Sequence, residues 1–193
     1  MQSRVRLEIS ALCGCCDEYG KTYDGLPQPA TVLGWLYAAH TPDFIPPVHV
    51  NIWSGASDTV LAQVAQHCPR LQCIHVSGLS TCRLSTWSTS TAPVTDAGVQ
   101  AIAHHCPSLQ YFNITGCDRV TNDGVAAIAH GCPLLRFCRL QYCDGITCAG
   151  VMEVVRRCHS LEYLDISRRT GLTAQEIRDV RTIRPDLYLF CDD

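Results

Sequence analysis

The chain has 193 residues, of which 47% are hydrophobic and 17% are charged, and this composition predicts a folded core rather than disorder. A formal net charge of -3 provides no basic field for phosphate backbones, so we expect no nucleic-acid partner. No segment approaches the roughly 18 apolar residues of a membrane-spanning helix, and Glu8 interrupts the N-terminal apolar run. We therefore expect a soluble protein of the cytoplasm or the nucleus, without a membrane partner.

The first 56 residues carry fragments of a pattern that later becomes regular. Residues 4–10 and the segment from Val48 have the alternation of strands, and residues 34–44 fit a helix between them. We interpret residues 1–56 as degenerate repeats within a single domain that spans residues 1–193.

A 26-residue repeat organises the chain over residues 57–193. Its copies begin at Ser57, Val94, Val120, Ile146 and Leu172, and the last copy stops part-way. Cys68 precedes Cys106 by 38 residues, which is 12 more than the period, so we expect an insertion in a loop at residues 80–93. Self-similarity at a period of this length is typical of stacked repeat architectures.

Each copy predicts a helix followed by a short strand. Apolar residues first follow helical spacing, as at Val99 and Ile102, and then the alternation of a strand, as at Phe112 and Ile114. Cys-Pro pairs end the helices, because proline disfavours helical geometry in the residue before it. Threonines suited to N-capping mark the helix starts, and the last of them forms a capping box with Glu176. These threonines are Thr95, Thr121, Thr147 and Thr173.

One helix and one strand of this size cannot bury their apolar faces alone, whereas stacked copies share a continuous core. The predicted fold is therefore α/β: a right-handed solenoid, or horseshoe, with a parallel sheet on the concave side and helices on the convex side. The cysteines that recur at the period, including Cys106, Cys132 and Cys158, are expected to be reduced and buried, because free cysteine packs as a small hydrophobe.

One copy carries a complete signature, written L-x-x-L-x-L-x-x-C, then V/I-T-x-x-G-V, then helix-C-P. Its residues are Leu109, Phe112, Ile114 and Cys117, then Val120, Thr121, Gly124 and Val125, then Cys132 and Pro133. This pattern resembles the cysteine-containing leucine-rich repeat, which is typical of F-box leucine-rich-repeat proteins and of the related antagonist of mitotic exit network protein. The resemblance covers about residues 57–193. Departures occur at Leu79, His159 and Arg169, where the pattern has cysteine, proline and cysteine.

The resemblance implies a protein-binding module that recognises substrates for an SCF-type ubiquitin ligase, built from Skp1, a cullin and an F-box protein. The concave face would hold the target, and an F-box would bind Skp1. No clear F-box is found, since the segment from Leu26-Pro27 to Phe44 lacks the helix-rich pattern on both sides. A scaffold or regulatory inhibitor without ligase association is the alternative.

Outward strand positions of successive copies stack into columns, because neighbouring strands lie about 4.8 Å apart. Aromatic residues flanked by arginine are typical of binding hot spots, and cross-strand packing alone is the other interpretation of such a row. The candidate partner-binding residues are Tyr111, Phe137 and Tyr163 in one column, Asn113, Arg139 and Asp165 in the next, and Thr115, Gln141 and Ser167 in a third, with Tyr142 and Arg168 beside them.

The enlarged loop at residues 80–93 is a second candidate, because loops on such scaffolds often carry function. It is rich in serine and threonine and contains Trp87. A tolerated surface insertion is the alternative.

No catalytic motif is present, so we expect neither an enzyme nor a cofactor. Histidines beside cysteines at successive helix ends, as at His104-His105-Cys106, would lie about 8 to 10 Å apart, too far to share one zinc ion. Cys13, Cys15 and Cys16 lie outside the regular positions, where a zinc or redox site and the cysteines of a frayed chain end are both open. Asp96 and Asp123 are expected to complement the dipoles of the helices that they begin.

Overall fold

The computed structural model describes residues 48–52, 56–77, 94–168 and 172–192. The elements expected before Val48, the three clustered cysteines Cys13, Cys15 and Cys16, and the loop at residues 80–93 with Trp87 lie outside the described residues.

Strands and helices alternate along the described chain, as the repeat predicted. The strands are β1 (His49–Ile52), β2 (Cys73–Val76), β3 (Tyr111–Asn113), β4 (Phe137–Arg139), β5 (Tyr163–Asp165) and β6 (Tyr188–Phe190). The helices are α1 (Asp58–His67), α2 (Asp96–His105), α3 (Asn122–Gly131), α4 (Cys148–Arg157) and α5 (Ala174–Ile183). All six strands form one sheet in the order β1 to β6, and each pairs in parallel with the next one along the chain.

The register of the sheet places equivalent residues of successive copies side by side. Tyr111 pairs with Phe137, and Phe137 pairs with Tyr163, which confirms the predicted columns. The last step differs, because Tyr163 pairs with Tyr188 after 25 residues instead of 26. The final copy is therefore one residue shorter between its strands.

One core joins the sheet to the helices. The central strand residues Phe112, Cys138 and Leu164 are buried in the same cluster as the helix residues Val125 and Val151. The helices cover the face of the sheet that carries these buried residues. Because side chains of a strand alternate between its two faces, the strand residues next to them in sequence lie on the other face. The signature residues Leu109, Phe112, Ile114 and Cys117 are all buried, as predicted.

Cys106, Cys132 and Cys158 are buried thiols that form no disulfide, which confirms their expected state. The Cys106 thiol donates to the carbonyl oxygen of Cys68 at 3.5 Å, and the Cys132 thiol donates to that of Cys106 at 3.6 Å. Burial raises the pKa of the Cys68, Cys106 and Cys132 thiols to about 12. These side chains are neutral hydrogen-bond donors that link the end of one helix to the end of the next.

The helix starts are linked from copy to copy in a similar way. Asp96 Oδ1, at the start of α2, accepts hydrogen bonds from the backbone N–H groups of Thr121 at 2.7 Å and Gly124 at 3.0 Å, at the start of α3. Asp58 does the same for α2, and Asn122 does the same for α4. We expected Asp96 to serve its own helix, but its carboxylate also caps the following one.

This close approach explains the glycine of the signature. A Cβ atom on Gly98 would lie 2.6 Å from Asp58 Oδ1 and 2.9 Å from Leu61 Cδ1. Gly124 and Gly150 meet the acceptor of the preceding helix in the same way. Glycine is required because a helix start lies directly against an oxygen of its neighbour.

The last copy departs from this arrangement. Cys148 stands where the earlier copies have aspartate or asparagine, and Glu176 stands where they have glycine. Thr173 and Glu176 instead cap α5 from within, through the predicted capping box. Arg184 occupies the position of the periodic cysteine, and its guanidinium donates to the carbonyl oxygens of Cys158 at 3.1 Å and Leu161 at 2.8 Å.

Candidate functional site

Four aromatic rings form a continuous row on the sheet face that the helices leave uncovered. The ring centroids of Tyr111 and Phe137 are 6.2 Å apart, those of Phe137 and Tyr163 are 6.4 Å apart, and those of Tyr163 and Tyr188 are 5.5 Å apart. We call Tyr111, Phe137, Tyr163 and Tyr188 the aromatic row, and the sheet face that carries it the aromatic face. The first three side chains are half-buried, whereas Tyr188 is 64% exposed.

Tyr188 was not among the residues predicted from the sequence. It completes the row because the final copy is one residue shorter, so a strict 26-residue offset from Tyr163 leads to Leu189 instead. The only sequence signal for Tyr188 was that an aromatic residue occurs in the strand of the partial final copy.

Two arginines lie against the row. The Arg139 guanidinium carbon lies 5.7 Å from the centroid of the Tyr163 ring, and that of Arg136 lies 5.6 Å from the centroid of the Phe137 ring. Both distances are within the range of cation–π attraction. Arg136 also donates twice to Glu162, at 2.9 Å for each bond. The aromatic face therefore presents a row of aromatic rings, two of which have an arginine guanidinium over them.

Two residues of the second predicted column, which comprises Asn113, Arg139 and Asp165, are buried. Asn113 is 1% exposed and Asp165 is 2% exposed, so the prediction that both side chains are available to a partner is wrong. Asn113 Oδ1 accepts from the backbone N–H and the hydroxyl of Thr115, at 2.9 and 2.7 Å. Asp165 Oδ1 accepts from the same groups of Ser167, at 3.0 and 2.7 Å. Short polar side chains of this kind fold back onto the chain two residues later and hold the turn after the strand.

Gln141 joins the polar contact between Asp165 and Ser167. Its side-chain amide donates to Asp165 Oδ2 at 2.8 Å and to Ser167 Oγ at 3.0 Å. The Tyr163 hydroxyl lies 3.4 Å from the same Asp165 oxygen. Burial, followed by the nearby Asp165 charge, raises the pKa of Tyr163. The polar groups therefore contact the aromatic row at Tyr163 and favour its protonated form.

Tyr142 and Arg168 occupy equivalent positions of neighbouring copies and have an unusual backbone. Their φ angles are 55° and 57°, and the equivalent residue of the preceding copy is Gly116 with φ of 77°. This left-handed conformation is comfortable for glycine but costs free energy for other residues. Tyr142 is 42% exposed, and the exposed Arg168 is paired with Asp192.

Other possible binding sites in the described residues have weaker structural support. A cleft of about 190 Å³ lies beside α5, lined by Ile177, Arg178, Arg181 and Cys191 among others, and it is smaller than the usual sites for small molecules. In the part of the chain that the structure describes, no three histidine, cysteine, aspartate or glutamate side chains are grouped so that they could hold a metal ion. No helix in that part is both long and apolar enough to cross a membrane.

Comparison with known families matches residues 105–129, which run from the end of α2 through β3 into α3, to the model described as Leucine Rich repeat. No curated protein matches the chain. The family match, together with a parallel sheet that alternates with helices, supports an α/β leucine-rich-repeat type of protein. A leucine-rich repeat in turn suggests a protein-binding module.

Proposed function

We propose that this chain binds a target protein on its aromatic face, without catalysis and without a cofactor. The aromatic row is the observation that carries this proposal. Tyrosine and arginine contribute disproportionately to protein interfaces, and four neighbouring rings with an arginine over two of them offer an extended strip of this composition. In the proposed right-handed horseshoe, this strip would lie on the concave inner surface.

The left-handed backbone of Tyr142 and Arg168 supports a recognition role for these two residues. Unfavourable backbone conformations tend to persist at binding and catalytic sites. Glycine at the equivalent position of the preceding copy satisfies the turn without this cost. Arg168 is also paired with Asp192, whereas the exposed side chain of Tyr142 suggests a benefit outside the fold, and contact with a partner is such a benefit.

The cellular role that we propose is target recognition for an SCF-type ubiquitin ligase in the cytoplasm or the nucleus. It rests on the resemblance of the repeat signature to F-box leucine-rich-repeat proteins. Skp1 and a cullin would then be further partners. A scaffold or inhibitor that binds its target without ligase components is the second candidate.

The binding proposal is tested by affinity capture with the full chain and identification of the captured proteins. Replacing Tyr111, Phe137 and Tyr163 by alanine should lower the yield of the specific partner at least about tenfold, because interface hot spots are truncated. Leu134→Ala, which removes an exposed apolar side chain elsewhere (49% exposed), is the matched control. A partner retained equally by the triple variant contradicts the proposal.

A second variant keeps this experiment informative if the triple variant unfolds. Arg139→Glu reverses the charge that lies over the Tyr163 ring and removes no ring. We expect it to weaken the same partner while the circular dichroism spectrum stays unchanged, and unaltered capture would count against the site.

The ligase role has its own measurement. Co-purification of Skp1 and a cullin with the tagged full chain, in amounts comparable to the chain itself, supports it. Capture of the target without either protein supports the scaffold instead.

A further inference from the structure

Arginine replaces lysine almost completely in this chain. Of its 15 arginine and lysine side chains, 14 are arginine and one, Lys21, is lysine, although lysine is among the commonest residues of soluble proteins. Lys21 lies outside the described residues. The described residues contain ten arginines, eight of them exposed, and no lysine. We call the surface of these residues the lysine-free surface.

The fold does not require arginine at all of these positions. Some arginines use the planar guanidinium, as Arg136 does in its two bonds to Glu162 and Arg184 does in its bonds to two carbonyl oxygens, and lysine cannot replace such a fork. The side chains of Arg70 and Arg119, in contrast, are exposed and form no hydrogen bond or ion pair with any described residue. Lysine would carry the same charge at these two positions.

The two cations differ in their reactivity. A lysine ε-amine that has lost its proton is a nucleophile, whereas the delocalised arginine guanidinium stays protonated in proteins. In ubiquitin transfer, the amine attacks the thioester that joins the C-terminal carbonyl carbon of ubiquitin to a conjugating enzyme. An isopeptide bond forms, the carbon–sulfur bond breaks, the thiolate leaves and the amine proton passes to solvent. The lysine-free surface therefore offers no side-chain amine to this reaction.

The buried thiols of the core do not replace lysine as acceptors. Cys68, Cys106 and Cys132 are buried, and burial raises the pKa of each thiol to about 12. The thiolate is the nucleophilic form of cysteine, so these side chains are both covered and in the unreactive state.

We propose that the lysine-free surface directs ubiquitin transfer to a bound target and confines lysine conjugation of this chain to Lys21. This inference rests on the proposed ligase role. A recognition subunit stays beside the transferring enzyme while it holds its target, so any exposed amine of its own would have a high effective concentration there. Such amines would compete with those of the target, and arginine at exposed positions removes this competition.

The experiment adds amines to this surface without changing its charge. The full chain, with a lysine-free affinity tag, is expressed in cells whose proteasome is inhibited, purified under denaturing conditions and analysed for conjugation sites by mass spectrometry. In the variant Arg70→Lys with Arg119→Lys, we expect conjugates at both positions and total conjugation at least about fivefold above that of the native chain. This gain should be lost when cullin ligases are inactivated.

The control removes the same two arginines and adds no amine. Arg70→Gln with Arg119→Gln should leave total conjugation within about twofold of the native level. Lys21→Arg tests the remaining acceptor and should lower conjugation of the native chain at least about tenfold.

The outcomes separate this inference from the ligase role itself. If Skp1 and a cullin co-purify with the variant that carries the two added lysines, but positions 70 and 119 stay unmodified, the inference is overturned and the ligase role stands. Conjugation of the native chain away from Lys21 at the level of that variant, or a gain that persists without active cullin ligases, would also overturn it. If neither Skp1 nor a cullin co-purifies and no form is conjugated, the ligase role fails and the inference fails with it.

Discussion

The backbone at Tyr142 makes a direct test of strain possible. Its φ of 55° costs a residue with a Cβ atom about 1 kcal/mol or more. Glycine would relieve this strain, but its greater freedom in the unfolded chain would offset roughly half of the stabilisation. We therefore expect Tyr142→Gly to raise the free energy of unfolding by about 0.5 kcal/mol, measured by urea denaturation.

The control for this substitution is an exposed turn residue without a left-handed backbone. Arg119→Gly removes a similarly exposed side chain and should lower the free energy of unfolding instead, because only the entropic cost of glycine remains. A loss of stability in both variants would show that the Tyr142 side chain contributes packing that outweighs its backbone strain.

The buried thiols lead to a pH prediction. The pKa of Cys132 is raised from 9.0 to about 12, so the folded state holds this proton more tightly than the unfolded chain. The stabilisation is fully present below pH 9.0 and is lost as the pH rises towards 12. We expect the stability advantage of the native protein over Cys132→Ala to shrink as the pH rises from 9.0 towards about 12.

The measurement is urea denaturation of both proteins at each pH. Peptide mapping after treatment with a thiol reagent at about pH 8 adds an independent check, because the neutral buried thiol should react only after unfolding. Rapid labelling of Cys132 in the native protein, or a constant stability difference across the pH range, would contradict this account.

The contact between successive helix starts is the next level at which the fold can be tested. Asp96→Ala removes three hydrogen bonds to α3, two from backbone N–H groups and one from the Thr121 hydroxyl. Hydrogen bonds to a charged group contribute more than neutral ones, and we expect a loss of about 2 kcal/mol in the free energy of unfolding. Asp123→Ala removes an exposed carboxylate in the first turn of α3 and should cost less than about 0.5 kcal/mol.

Equal effects of the two substitutions would mean that the bonds between copies contribute little. Gly124→Ala tests the same contact from the other partner, because its new methyl group would collide with Asp96. It should destabilise the protein although alanine is the better helix former.

Periodicity in the sequence was enough to predict the helices, the strands and their pairing. Threonine caps, Cys-Pro helix ends and the 26-residue offset act locally, so they can be recognised in one copy and transferred to the next. The capping box at Thr173 and Glu176 was also predictable, because both partners lie within one turn of helix.

The errors occurred where a side chain acts beyond its own position. Asn113 and Asp165 are polar and lie at outward strand positions, but each accepts hydrogen bonds from the turn that follows its strand and is buried there. The hydrogen bonds from α3 to Asp96 depend on the distance between two copies, and the sequence of one copy does not give this distance. Tyr188 was missed because one deletion shifts the register.

The stacked arrangement predicts where the protein opens first. The bonds from aspartate or asparagine to the next helix end at α4, and Val180 is the only buried residue of α5. In repeat proteins each copy is stabilised mainly by its neighbours. We expect the amides of α5 and β6 to exchange with solvent at least about tenfold faster than those of α2 to α4, measured by hydrogen exchange.

A rescue variant sharpens this measurement. Compared with Glu176→Gly alone, which loses the capping box, Cys148→Asp with Glu176→Gly restores the pair that links the earlier helices and should slow exchange in α5. Uniform exchange across all five described helices, or no response to the rescue, would contradict the assignment of the last copy as the weakest.

The pairing of each strand with its successor has a consequence for how such a chain can grow. Duplicating residues 120–145 would supply a complete unit whose two ends already match their new neighbours, and the sheet would gain one more ring, from a second copy of Phe137. An insertion of another length between two strands would break that match unless it left the sheet as a loop. Binding surfaces built in this way can be lengthened by gene duplication without redesign of the core.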